Sequence, residues 1–108
     1  TYCLGIKLKE GLVAIADTRL TSGTEVSIAE KYKVFKNDKQ SMFIMTSGLR
    51  SVRDKTVTYF SEVLEDKFDD LNKMYEAVNL LGEQIKRVAK EDKEDLIHSG
   101  LKFDIHVI

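Results

Sequence analysis

Three residue types at three distances could do chemistry in this chain. Threonine stands at position 1, aspartate closes an apolar run at position 17, and lysines follow at 31, 33 and 36. An N-terminal threonine carries its own nucleophile, Oγ, and its own general base, the α-amine. That amine has a reference pKa of roughly 7.7–8.0, so a modest downward shift leaves it neutral at working pH. A neighbouring lysine supplies the shift, because its positive charge disfavours protonating the amine. The lysine must be held in place and kept charged, which a carboxylate at the end of a buried strand can do. Thr1, Asp17 and a lysine are therefore a candidate set. Lys31 and Lys33 compete for the third place, since residues two apart on a strand share a face. Taken singly, each has a plainer reading: Thr1 as a chain boundary, Asp17 as a turn residue, the lysines as surface.

The elements that must position these groups can be read from the apolar pattern. Leu4, Ile6 and Leu8 alternate with Gly5, Lys7 and Lys9, which predicts a half-buried strand. Glu10-Gly11 is turn chemistry, and Leu12-Val13-Ala14-Ile15-Ala16 runs apolar without interruption, as a strand covered on both faces does. The first sixteen residues thus read as a hairpin, and Thr21-Ser22-Gly23-Thr24 as a turn or loop. A second strand pair is expected at about 33–36 and 42–45, joined by Asn37-Asp38-Lys39-Gln40.

From about residue 49 the period becomes helical. Val52, Val57, Phe60, Val63, Leu64 and Phe68 recur at near-helical spacing, and Ser51-Val52-Arg53-Asp54 matches a capping box. Asp69-Asp70-Leu71-Asn72 breaks the run. A second stripe follows through Met74, Ala77, Val78, Leu81, Ile85, Val88 and Ala89, ending in the charged run 90–95. Leu101, Phe103, Ile105 and Val107 alternate with polar residues, which reads as a last strand. The order ββ–ββ–αα–β gives an α+β layered domain. That strand is still apolar at Ile108, so the expectation is a single domain over residues 1–108, cut on its C-terminal side.

Composition excludes several function classes. Of 108 residues, 43% are hydrophobic and 32% charged, and the net charge is −1. This balance argues against a nucleic-acid or membrane-surface footprint, both of which need concentrated positive charge. No apolar run approaches the ~20 residues that span a bilayer. One cysteine, Cys3, permits no intrachain disulfide and reads as a small buried hydrophobe rather than a thiol nucleophile. His98 and His106 have no Cys or His at metal spacing, so neither a metal nor another cofactor is expected. The expected address is the cytoplasm.

A family resemblance adds to this reading. Thr1 opening the first strand, Lys9-Glu10-Gly11-Leu12-Val13 at the hairpin and Ala16-Asp17-Thr18-Arg19 closing it resemble a proteasome β-type subunit of the N-terminal-nucleophile hydrolases. Thr21-Ser22-Gly23, Lys33-Val34 and Thr46-Ser47-Gly48 complete the match. The opening Thr1-Tyr2-Cys3-Leu4-Gly5 and the closing Phe103-Asp104-Ile105-His106-Val107-Ile108 are most similar to the bacterial proteasome-like group called Anbu.

The resemblance implies an αββα sandwich, of which this chain is the N-terminal portion, and a threonine-type endopeptidase. In it Thr1 Oγ attacks the scissile carbonyl, the Thr1 amine relays the proton and Lys33 lowers both pKa values. Asp17 pairs with Lys33, and the backbone N–H of Gly48 stabilises the oxyanion. Thr21 pairs with an extended peptide substrate, with Arg19 and Ser22 in the same loop. The implied partners are a peptide or unfolded protein and further copies of the chain in a self-assembled particle, with an ATPase partner left open. The supporting Ser and Asp groups of the family's second half are not in these residues. Met42, Met45 and Leu49 read as core or as an apolar substrate pocket. Two other functions stand beside the peptidase: a non-catalytic assembly subunit of the same fold, and an amidohydrolase acting on a non-peptide substrate.

Overall fold

The computed structural model describes residues 2–22 and 24–108. Three antiparallel strand pairs come first. β1 (Cys3–Leu8) pairs with β2 (Gly11–Ala16), β3 (Arg19–Ser22) with β4 (Glu25–Ile28), and β5 (Tyr32–Lys36) with β6 (Ser41–Gly48). Two helices follow, α1 (Arg50–Lys67) and α2 (Met74–His98), separated by a short 3-10 turn at Phe68–Asp70. The last strand, β7 (Ile105–Val107), returns to the free edge of β6 and gives a three-stranded sheet in the order β5-β6-β7. Pairing continues past β7: Met45 and Ile108 exchange both backbone bonds at 2.9 Å. The α+β class and the order of the large elements agree with the sequence pattern.

The β5–β6 turn also closes off the first helix. Asn37 Oδ1 accepts from the backbone N–H groups of Lys39 (2.9 Å) and Gln40 (2.8 Å), shaping the turn. Gln40 Nε2 then donates to the carbonyls of Phe68 (2.8 Å), which also accepts from Leu71 N–H, and of Leu71 (3.0 Å). At the far end α2 finishes in a Schellman motif. Leu101 N–H bonds Leu96 C=O at 2.8 Å, Gly100 N–H bonds Ile97 C=O at 3.0 Å, and Gly100 takes φ +78°.

One face of the β5-β6-β7 sheet buries the core against the helices. Phe35, Ile44, Phe60, Leu64 and Leu81 form its centre, and the Phe35 and Phe60 rings meet edge to face with centroids 5.4 Å apart. On the outer side, Lys55 of α1 reaches Glu91 (2.7 Å) and Asp92 (2.8 Å) of α2. Tyr59 Oη donates to Glu91 at 2.7 Å while the Arg87 guanidinium lies 3.8 Å over its ring. The flanking acids raise the Lys55 pKa, chiefly through the hydrogen bond to Asp92 and then that to Glu91.

Four expectations are corrected. Strands β3 and β4 occupy residues that the pattern left as loop; each is only four residues long, too short for period-two alternation to stand out. The hairpin of β1 and β2 is not covered on both faces. Leu4, Ile6, Leu12, Val13 and Ile15 are all exposed, because α1 packs on β6 and not on the hairpin. Ser51 does not cap α1: the N-cap is Leu49, without a side-chain bond. The last strand is short, with Leu101 and Phe103 outside it.

Candidate functional site

Asp17 follows the end of β2, where the hairpin returns to the start of the chain. Its backbone N–H donates to Tyr2 C=O at 2.9 Å, and its Oδ2 accepts from Tyr2 N–H at 2.9 Å. Two bonds thus fix the residue that directly follows Thr1. Asp17 Oδ1 accepts from Lys31 Nζ, which also donates to the carbonyl of Arg19. Lys31 is 1% exposed, so its charge is desolvated and is met by a carboxylate and a carbonyl.

The expected Asp17–Lys33 pair is corrected to Asp17–Lys31. Lys33 is exposed, with its ammonium 5.9 Å from the Phe35 ring centroid, and its backbone pairs with Ile44. The equal claim of the two lysines assumed that both stand on one pleated strand. Lys31 instead precedes β5, in a segment that has already turned: Ala29 N–H bonds Thr18 C=O at 2.8 Å. Lys31 is buried against Asp17 and Arg19 C=O, whereas Lys33, on the same sheet face as Phe35 and Ile44, keeps its side chain exposed.

The hydrogen bond from Lys31, and then the one from Tyr2, hold the Asp17 carboxyl below the usual carboxylate range. A carboxyl whose pKa is lower folded than unfolded adds stability above its unfolded value, near the reference of 3.8, and loses it as pH falls through the folded value. Melting of the wild-type protein should therefore fall below about pH 4 more steeply than that of Asp17→Asn, since the variant lacks this titration. Parallel melting curves from pH 5 to pH 2 would show that the pair contributes nothing.

Lys31 also ties this pair to β6, its C=O accepting from Thr46 N–H at 2.9 Å. Along β6 the hydrogen-bonding edge alternates. Met45 and Leu49 bond toward the β7 side, to Ile108 and Asp104, whereas Thr46 bonds toward the β5 side. Gly48 closes the strand two residues beyond Thr46, past the end of β5. Only glycine fits at that position: φ is +111°, and a Cβ would lie 2.4 Å from Asp104 O. The helix α1 begins two residues later, its free N–H groups favouring negative charge nearby.

The other expected residues are placed as follows. Arg19 opens β3 with an exposed side chain, and its carbonyl holds Lys31. Thr21 and Ser22 lie on β3, opposite Val26 and Glu25. Among the described residues β3 has β4 as its only strand neighbour, so its other edge is open to an added strand. Met45 is buried, Met42 and Leu49 are half-buried, and Cys3 is half-buried on β1. Thr1 and Gly23 lie outside the described residues. Two residues were not anticipated: Tyr2, whose role is carried by its backbone, and Arg53, a charge inside an apolar helical stripe. Among the described residues no helix is long and apolar enough to cross a membrane.

This arrangement, a buried lysine–carboxylate pair behind the first strand and a glycine closing β6, sits on a fold shared with solved structures. The chain is similar to Anbu (ancestral beta-subunit) from Yersinia bercovieri, with a TM-score of 0.81 and 23% identity, over 99% of this chain and 45% of that one. It is also similar to Anbu from Hyphomicrobium sp. strain MC1, with a TM-score of 0.77 and 21% identity, over 100% and 46%. A (Gly-1) mutant of Anbu from the same strain matches with a TM-score of 0.79 and 19% identity, over 97% and 44%. The fold of these residues is therefore the Anbu-like, proteasome-related α+β fold, and the chain spans about half the length of the structures it matches. No family model matches the sequence, and no curated protein does.

Proposed function

We propose that the chain carries the nucleophile and proton-transfer groups of a threonine-type peptidase that works in a self-assembled particle. The observation that carries this reading is the buried Lys31 joined to Asp17, whose carboxylate also holds the backbone of the residue after Thr1. In this mechanism Thr1 Oγ attacks the carbonyl carbon of a peptide bond while the Thr1 amine accepts its proton. The Lys31 ammonium keeps that amine deprotonated at neutral pH, and Asp17 keeps Lys31 in place. Negative charge develops on the carbonyl oxygen, and the Gly48 N–H receives it beside the N-terminus of α1.

The amine then passes its proton to the leaving nitrogen, the C–N bond breaks, and an ester on Thr1 remains. Water, giving a proton to the Thr1 amine, then attacks the ester carbonyl; the Oγ–C bond breaks and the amine passes that proton to Oγ. An extended peptide adding along the open edge of β3 would bring its backbone past Thr21, with Arg19 and Ser22 on the same strand. Thr1, Lys31 and Gly48 support this class of reaction, and the edge of β3 supports the substrate class.

The test is covalent labelling with an electrophilic peptide epoxyketone, which bridges a threonine hydroxyl and its own free amine. The expected result is one adduct per chain, located at Thr1 by peptide mass. No adduct on a folded protein with an unmodified Thr1 would remove the peptidase reading.

A further inference from the structure

Arg53 is the one buried side chain whose charge the proposed mechanism leaves unused. It sits in the first turn of α1, faces the sheet and is 3% exposed. Its neighbours on the same helix face, Val52, Thr56 and Phe60, are the residues that α1 buries. Among the described residues no carboxylate lies within ion-pair distance of Arg53, and its Nε has no hydrogen-bond partner. Its hydrogen bond to another residue's backbone carbonyl is from Nη1 to Thr46 C=O, at 3.4 Å.

Three costs meet at this residue. A guanidinium does not deprotonate in a protein, so burial cannot be relieved by losing the charge. A buried charge without a counter-ion costs several kcal/mol. A cation in the first turn of a helix is further opposed by the helix dipole. A methionine or leucine would fill the same apolar surroundings without any of these.

The place of the charge gives it a use. Thr46 and Gly48 stand two residues apart at the end of β6, and Gly48 closes the strand. Arg53 holds β6 at Thr46, two residues before Gly48 and at the residue whose N–H donates to Lys31 C=O. We propose that Arg53 is a positioning residue for acyl transfer. It fixes the end of β6 so that the Gly48 N–H stays aimed, and it adds positive potential where the tetrahedral oxyanion forms. This rests on the peptidase reading given above.

The test uses the full protein as natively expressed, with Arg53→Lys, which keeps the charge, and Arg53→Gln, which keeps a donor for Thr46 and drops the charge. Three quantities are read: kcat and KM on a fluorogenic peptide, affinity for a peptide boronate, which forms an anionic tetrahedral adduct on the nucleophile, and the melting temperature. Arg53→Gln should lower kcat and boronate affinity in parallel by about 10- to 100-fold, with KM within about threefold. Arg53→Lys should recover part of both. The inference is overturned if Arg53→Gln keeps kcat and boronate affinity within about threefold of wild type. It is equally overturned if both variants lose activity only in step with melting, as a carboxylate partner elsewhere in the protein would cause. If the unsubstituted protein forms no boronate adduct at all, the peptidase reading falls and this inference with it.

Discussion

Lys31→Met is expected to slow acylation of Thr1 by ~10³-fold or more, and Lys33→Met to leave it within about threefold. The two lysines are equivalent in type and two residues apart, so the comparison isolates position. Lys31 is desolvated and bonded to Asp17 and Arg19, whereas Lys33 lies in the open over Phe35. A desolvated charge acts on its neighbours through a low effective dielectric, while an exposed one is screened within about 10 Å by ordinary salt.

The chemical effect can be separated from a folding effect. Methionine matches lysine in length and removes the buried cation outright, so no charge is stranded in the interior. Asp17 retains 39% of its side-chain exposure and can be solvated once its partner is gone. The stability loss should therefore fall well below the ~3–5 kcal/mol seen when a fully buried pair is broken by removing one partner. Probe-labelling rate and melting temperature, measured on the same samples, decide the matter. A Lys33→Met variant as inactive as Lys31→Met would mean that the pairing with Asp17 is not what activates Thr1. Lys31→Arg is no substitute control, since a planar guanidinium does not present a compact charge to both Asp17 and Arg19 C=O.

How far the sequence could reach is visible in particular elements. The helices α1 and α2 were legible because each carries an apolar stripe long enough to impose a period, and the β1–β2 hairpin because a turn signal separates two apolar strands. Strands β3 and β4 were not legible. Val26 and Ile28 do alternate with Glu25 and Ser27, but four residues beside a Thr-Ser-Gly turn carry too few repeats to outweigh a loop reading. The choice between Lys31 and Lys33 depended on where the chain bends into β5. That bend is made by Ala29 N–H bonding Thr18 C=O, a contact between residues eleven apart that leaves no local pattern. Arg53 was hidden for the opposite reason: an arginine on an otherwise apolar helix face reads as part of a capping box or as surface.

The exposed hairpin belongs to the same argument. Apolar patterning predicts which residues would be buried in a finished core, and it cannot say which surface covers them. Leu4, Ile6, Leu12 and Ile15 carry the signature of covered strands and are uncovered in these 108 residues. Of these, Ile6 and Leu12 line a wide apolar cleft that also takes in Met74, Val78 and Ile85 of α2. The structures that share this fold are about twice as long. Activity measurements therefore belong on the full protein, where these faces meet whatever covers them.

Thr1→Ala is expected to abolish probe labelling, a loss of ~10⁴-fold or more against wild type. The reading demands more than a hydroxyl, since the base is the α-amine of the same residue. Thr1→Ser keeps both groups and should retain labelling within about one order of magnitude, the lost methyl costing only orientation of Oγ. Adding one residue before Thr1 keeps the hydroxyl but turns the amine into an amide, which is no base at neutral pH. That variant should hydrolyse a fluorogenic peptide no faster than Thr1→Ala, although its hydroxyl, Asp17, Lys31 and Gly48 are untouched. The three variants should melt within a few degrees of wild type, because none removes a buried contact of the core formed by Phe35, Ile44, Phe60, Leu64 and Leu81. Hydrolysis of a fluorogenic peptide by the extended protein at the wild-type rate, with the extra residue shown by mass to be still attached, would exclude the amine as base. The proton would then have to leave Thr1 by way of Lys31, and the role assigned to that lysine would change from setting a pKa to accepting a proton.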